Sequence, residues 1–244
     1  MYNFHHDYTD FFDLSGKGQL FYQSVKSDFV DNFTTLLTEQ INVDFDNAEC
    51  IANTLWARMS NHQLYYHTPV HILSVLQDFQ NLYSKDFEEV MDAFQLIEYH
   101  LAIWFHDSVY VVGAKKGVNE RSSALFFESM ITPYLNDINQ IAAVNNLITV
   151  TSKHEDMNIS SKNSIMLDLD IRNLAWGYDK FLKVSECVRL EYEQVYTTEE
   201  YRLGRLQFLQ GLLDRPSIFR TKSIKEKFEN QAVSNIEKII QELT

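Results

Sequence analysis

The chain has 244 residues, a formal net charge of −13 and a hydrophobic fraction of 45%. That fraction supports a sizeable core and excludes disorder as the default state. The acidic balance repels nucleic-acid backbones and anionic lipid heads, so neither bulk nucleic-acid binding nor a membrane partner is expected.

Only 7 Gly and 3 Pro are present. A β-rich chain needs a turn signal at nearly every strand, so scarce turn formers predict long helices instead. Cys50 and Cys187 lie too far apart in sequence for a metal knuckle or a disulfide framework. The opening MYNFHHDYTD lacks the layout of a signal peptide, and no apolar run reaches the length of a membrane span. A cytoplasmic compartment is the simplest expectation.

Taken in order, Phe29, Phe33, Leu36, Leu37 and Ile41 form one helical stripe, and Ile51, Leu55 and Met59 continue in a second. After a turn around Asn61, Pro69 to Leu82 reads as a helix with Ile72, Val75, Leu76 and Phe79 inward. The next helix is expected from about Phe87 to His106, with Val90, Phe94, Ile97 and Leu101 on its inner face. It ends after Asp107, where VYVVGAKKG brings β-branched residues and a Gly-flanked basic loop. Asn119 is the expected N-cap of the helix holding Ala124, Phe127 and Met130, which Pro133 interrupts. Further helices are expected over Ile138–Val150, Tyr178–Val195, Glu199–Leu213 and Ile224–Leu243, with Asp214-Arg215-Pro216 breaking the last two apart. No composition shift marks a domain boundary. The expectation is all-α, a single-domain bundle over residues 1–244.

Metal-capable side chains gather at YYHTPVH, WFHD, SKHE and LDLD. Pro69 is tolerated only at a helix start, which puts His67 just before the helix and His71 on its first turn. His106-Asp107 closes the apolar run LAIWF, where a buried imidazole and carboxylate need partners. Asp168 and Asp170 share one side if LDLDI alternates as a strand would; taken alone, the pair reads more simply as a helix cap with an acidic neighbour. Combined, His71, His106, Asp107 and Asp170 offer two nitrogens and two carboxylates, a mixed set suited to a hydrolytic divalent ion.

On these residues the sequence resembles the HD superfamily of metal-dependent phosphohydrolases, whose pattern is a His, a His-Asp pair and a distant Asp. His71, His106-Asp107 and Asp170 match that order. YHTPVH is similar to the Tyr-His-Asn-x-x-His element of cyclic nucleotide phosphodiesterases, in which the second His binds metal and the first protonates the leaving group. By that resemblance His71 is a ligand and His67 the general acid. A bacterial group of predicted HD phosphohydrolases is nearer still, sharing YHTPVHI, AIWFHDSVY, NERSSA, TSKH, DLDI and VRLEY between Tyr66 and Tyr192. Leu169 stands where that family has a small residue, and Ile171-Arg172 replaces its usual continuation.

The resemblance implies an HD-type bundle with its metal-site core at about residues 50–195 and the C-terminal helices packed on it. It implies one or more divalent ions (Mn, Fe, Co, Ni, Zn or Mg) and hydrolysis of a small phosphomonoester or phosphodiester, a nucleotide among the candidates. Asp107 would orient the attacking water and His67 protonate the leaving oxygen. Glu120, His154 and Asp168 are candidates for a second layer or a second ion. Lys115 and Lys116 in the basic loop, with Arg189 and Arg205, are candidates for binding phosphate. His100 precedes Asp107 by seven residues, roughly 10 Å of helical rise, which is too far for the same ion. Two other classes stay open: a regulatory protein that binds metal or nucleotide without turnover, and an oxygen-activating di-iron protein that recruits His154 or Glu120.

Overall fold

Side-chain caps decide where several helices begin. Asp44 accepts the Asn47 N–H ahead of α2 (Phe45–Met59), Asp137 caps α6 (Ile138–Val150), and Ser160 caps α7 (Ser161–Asp170). Reciprocal capping boxes, Asp92 with Gln95 and Thr197 with Glu200, open α4 (Ala93–Phe105) and α9 (Thr198–Leu213). Pro69 starts α3 (Pro69–Leu82), as its ring requires. The remaining helices are α1 (Gln19–Gln40), α5 (Val118–Ile131), α8 (Tyr178–Tyr192) and α10 (Lys222–Leu243). This computed structural model describes residues 2–12, 19–82, 91–156 and 158–244, with backbone alone for 19–22. Among the described residues the fold is all-helical with no strand, and no helix is long and apolar enough to cross a membrane.

One hydrophobic core runs from Tyr8 to Ile239. The α1 and α2 stripes face it as expected, with Phe29, Phe33, Leu37 and Leu55 essentially inaccessible. Its centre is α4, which packs on α3, α5 and α6. Trp104 stacks on Phe33 at 4.6 Å between ring centres and meets Phe29 edge-on. The N-terminal segment folds back here: Tyr2 donates its backbone N–H to Gln80, and its hydroxyl meets both Trp104 Nε1 and His100 Nδ1. His100 is therefore a core histidine, and burial holds its pKa down at about 3.

Three expectations change. The described part of α4 begins at the Asp92 cap; Phe87 and Val90 lie outside the described residues. Phe94 is 69% exposed, and the buried run is Leu101 to Phe105. A helix surrounded by other helices has no solvent stripe to reveal its inner face. Asn119 is no N-cap: Gly117, at φ 78°, takes that position, while the Asn119 amide bonds both backbone groups of Val111 and ties the loop to α5. Finally, LDLDI is the end of helix α7 followed by a 3-10 turn at Arg172–Ala175, so Asp168 and Asp170 do not share a face.

Candidate metal centre

Three helix ends converge. His71 rides the first turn of α3, His106 caps the C-terminus of α4 with Asp107 next in chain, and Asp170 is the last residue of α7. The four ligand atoms lie within 4.8 Å of one another. Both histidines are at most 1% exposed. His71 Nε2 is 3.2 Å from His106 Nε2, 3.4 Å from Asp107 Oδ2 and 3.4 Å from Asp170 Oδ1. His106 Nε2 is 3.2 and 3.5 Å from the same two oxygens.

Those separations fit a cation. Bonds of about 2.0–2.1 Å to one ion place neighbouring donor atoms roughly 3–3.4 Å apart. The tautomer also fits: His106 Nδ1 lies 2.9 Å from the Ile103 carbonyl, which can only accept, so Nδ1 carries the hydrogen and Nε2 presents its lone pair. Burial opposes charge on His106, but the Asp107 carboxylate, its hydrogen bond and Asp170 outweigh it and lift the pKa well above the usual imidazole range. Burial pushes Asp107 and Asp170 upward, yet the facing histidines drive both carboxyls well below the ordinary carboxylate value.

His154 joins the edge of the cluster, its Nε2 2.8 Å from Asp170 Oδ2, with Nδ1 buried and unpartnered. Glu120 faces the same space; its Oε2 is buried without a hydrogen-bond partner, and burial together with Asp107 and Asp170 raises its pKa. Asp168 has a different task. Fully buried, it accepts the backbone N–H groups of Arg220 and Thr221 at 2.6–3.0 Å, fixing the start of α10. It belongs to the joint between α7 and α10, not to the cluster.

His67 precedes α3 and is gripped from behind by Glu191 of α8, which sequence reasoning missed. Glu191 is 0% exposed and bonds His67 Nδ1 through one oxygen. Its other oxygen accepts the backbone N–H groups of Tyr65, Tyr66 and His67 at 3.0–3.2 Å. Tyr110 stacks on the imidazole, ring centres 3.4 Å apart. Burial lowers the His67 pKa, but Glu191 overcomes it, assisted by Asp107 and Asp170, and the net direction is upward. Burial likewise raises Glu191, and His67 with the backbone donors reverses that. The only hint in the sequence was the Glu of VRLEY.

The cluster opens into a cavity of about 500 Å³ bounded by His67, Asp107, Glu120, His154 and Asp170 on one side and by α8 and α9 on the other. Arg205 lines it. The other basic candidates do not. Lys116 is 64% exposed and paired with Glu155 at 2.6 Å, and Lys115 is exposed beside it. Arg189 is held between Glu186 and Glu193 on its own helix. Local carboxylates captured Lys116 and Arg189, as an acidic surface makes common.

A comparison of the chain with protein-family profiles, curated proteins and solved structures finds no match. The buried His/His/Asp/Asp cluster in an all-helical chain is compatible with an HD-type metal site.

Proposed function

We propose that this chain is a metal-dependent phosphohydrolase that cleaves a small phosphomonoester or phosphodiester. The observation that carries the reading is the cluster itself: four ligand atoms within 4.8 Å of one another, buried at the floor of a ligand-sized cavity. His71, His106, Asp107 and Asp170 would hold the ion. A divalent ion bound there supplies acidified water and polarises a phosphoryl oxygen.

The protein's own groups provide the rest. Asp107 and Asp170 each have a second carboxylate oxygen, and that of Asp170 is oriented by His154 Nε2. Asp107 lines the cavity and would orient the attacking water. His67 keeps Nδ1 on Glu191, so Nε2 is the nitrogen free to deliver a proton to the leaving oxygen. Glu191 favours the protonated form of that ring. Tyr110 fixes the ring plane.

The test is elemental analysis of the purified protein beside an Asp107→Ala variant, with chromogenic phosphomonoester and phosphodiester hydrolysis followed in Mn²⁺, Co²⁺ and Ni²⁺. Metal in the wild type, less in the variant, and turnover that falls by about a thousandfold or more while the helical signal persists is the expected result. Stoichiometric metal without turnover on either ester would replace hydrolysis by a regulatory metal-binding role. Full activity of Asp107→Ala would end the proposed chemistry.

A further inference from the structure

Helix α9 presents two adjacent residues to the cavity, Gly204 and Arg205, and both are out of place by ordinary accounting. Glycine destabilises a helix interior relative to alanine, and a mid-helix glycine usually answers a close approach by a neighbour. At Gly204 no such neighbour exists: an added Cβ would meet nothing within 4 Å. The space it leaves is the rim of the cavity.

Among the described residues no carboxylate forms an ion pair with Arg205. Its Nε is buried without a hydrogen-bond partner, and its guanidinium carbon sits 5.5 Å from the centre of the Phe208 ring. Three carboxylates of α8, α9 and the turn between them are engaged elsewhere, Glu193 through one oxygen only. Glu191 holds His67, Glu193 holds Arg189, and Glu200 closes the cap on Thr197. In a chain of net charge −13, an arginine left unpaired in a cavity is set aside for an anion from outside. Around it stand Tyr192, Tyr196, Tyr201 and Phe208, over a floor that includes Val184 and Val188. That surface suits a planar, largely apolar body.

We propose that Gly204 and Arg205 form the recognition face of the cavity, where an aromatic ring of the substrate lies over Gly204 among the tyrosines and an anionic group pairs with Arg205. The substrate class is an aromatic phosphate ester of nucleotide size. That the ester is then hydrolysed rests on the function proposed above; the ring and the anion rest on α9.

The experiment is calorimetric titration of the full chain with adenosine monophosphate, adenosine and inorganic phosphate, with thermal melting of every variant. Wild type should bind the nucleotide more tightly than either fragment. Arg205→Gln should weaken nucleotide binding about ten- to a hundredfold and leave adenosine nearly unchanged. Gly204→Leu should weaken nucleotide and adenosine by about tenfold or more, with Tm no lower than wild type because leucine favours the helix. Unchanged nucleotide affinity in Arg205→Gln removes the anion contact, and unchanged affinity in Gly204→Leu removes the ring from the rim. Inorganic phosphate bound as tightly as the nucleotide, or no nucleotide binding at all, overturns the aromatic class. Nucleotide binding without hydrolysis supports this recognition face and ends the hydrolase reading. Hydrolysis of an alkyl phosphate by a protein that ignores the nucleotide does the reverse.

Discussion

The two walls of the cavity are built on different terms. On the inner wall, formed by α3, α4 and α7, the groups of the cluster are held, His106 by the Ile103 carbonyl, Asp170 by His154, and His67, at the lip, by Glu191, while Glu120 Oε2 and His154 Nδ1 stay unpartnered. On the outer wall, formed by α8, α9 and the turn between them, Arg205 pairs with no carboxylate among the described residues, an added Cβ at Gly204 would meet nothing within 4 Å, and Tyr196 is 38% exposed. Positioned groups with satisfied partners are what bond-making chemistry requires. Groups left unspent are what recognition requires, because their partner arrives with the ligand. On the proposed function, reactivity would belong to the inner wall and selectivity to the outer.

The sharpest way to break that contrast lies within α7, where Asp170 and Asp168 are two residues apart and do unrelated work. Asp170→Asn should cost turnover on the order of a thousandfold and most of the bound metal, with little loss of stability. Asp168→Asn should do the opposite. Two backbone N–H groups at the start of α10 lose their anionic acceptor, so stability should fall by about 1–2 kcal/mol while metal content is kept. Metal loss in both variants, read by elemental analysis beside denaturant unfolding, would merge the two carboxylates into one site.

Glu191 tests whether the inner wall extends to α8. In Glu191→Gln the carboxylate that holds up the His67 pKa is gone and burial is left to pull it down. The alkaline limb of the pH–rate profile should therefore move to lower pH, and kcat should fall by about ten- to a hundredfold. The stability signs follow from the two shifts. His67 is raised, so its contribution is complete below its unfolded pKa of about 6.5 and is lost as pH rises through the folded value. Glu191 is depressed, so its contribution is complete above about 4.3 and is lost as pH falls through its folded value. The Tm gap between wild type and variant, measured on metal-free protein, should be widest between those limits. A gap that does not change with pH would mean that the pair is neutral in the fold.

Local signals carried much of this. The Pro69 start, the break at Pro133 and the Ile138–Val150 helix stand as the patterns predict. His71, His106, Asp107 and Asp170 also meet, though only the resemblance to the HD pattern, and no local helix signal, points to Asp170. What stayed illegible depends on tertiary neighbours. Glu191 looks like any glutamate of an acidic helix until three backbone N–H groups from before α3 are seen to converge on it. Asp168 reads as a companion of Asp170 only while LDLDI is taken for an alternating strand. Phe94 reads as core because α4 carries no polar stripe to orient it.

The smallest expected effect separates the outer wall from the surface beyond it. Lys116 follows the metal pair closely in sequence, yet its ammonium sits 2.6 Å from Glu155, with the two side chains 64% and 74% exposed. An exposed pair of this kind contributes at most about 1 kcal/mol and is screened by salt. Lys116→Ala should therefore leave kcat/KM within about twofold and stability within about 0.5 kcal/mol of wild type. Arg205→Ala, by contrast, should raise KM for an anionic ester by about tenfold or more, because no other Lys or Arg among the described residues lines the cavity to replace it. Parallel KM measurements at low and high salt decide the matter. A large, salt-sensitive loss in Lys116→Ala would mean that the basic loop steers substrate, and the selective wall would then have to be extended beyond α9 to the loop that follows Asp107.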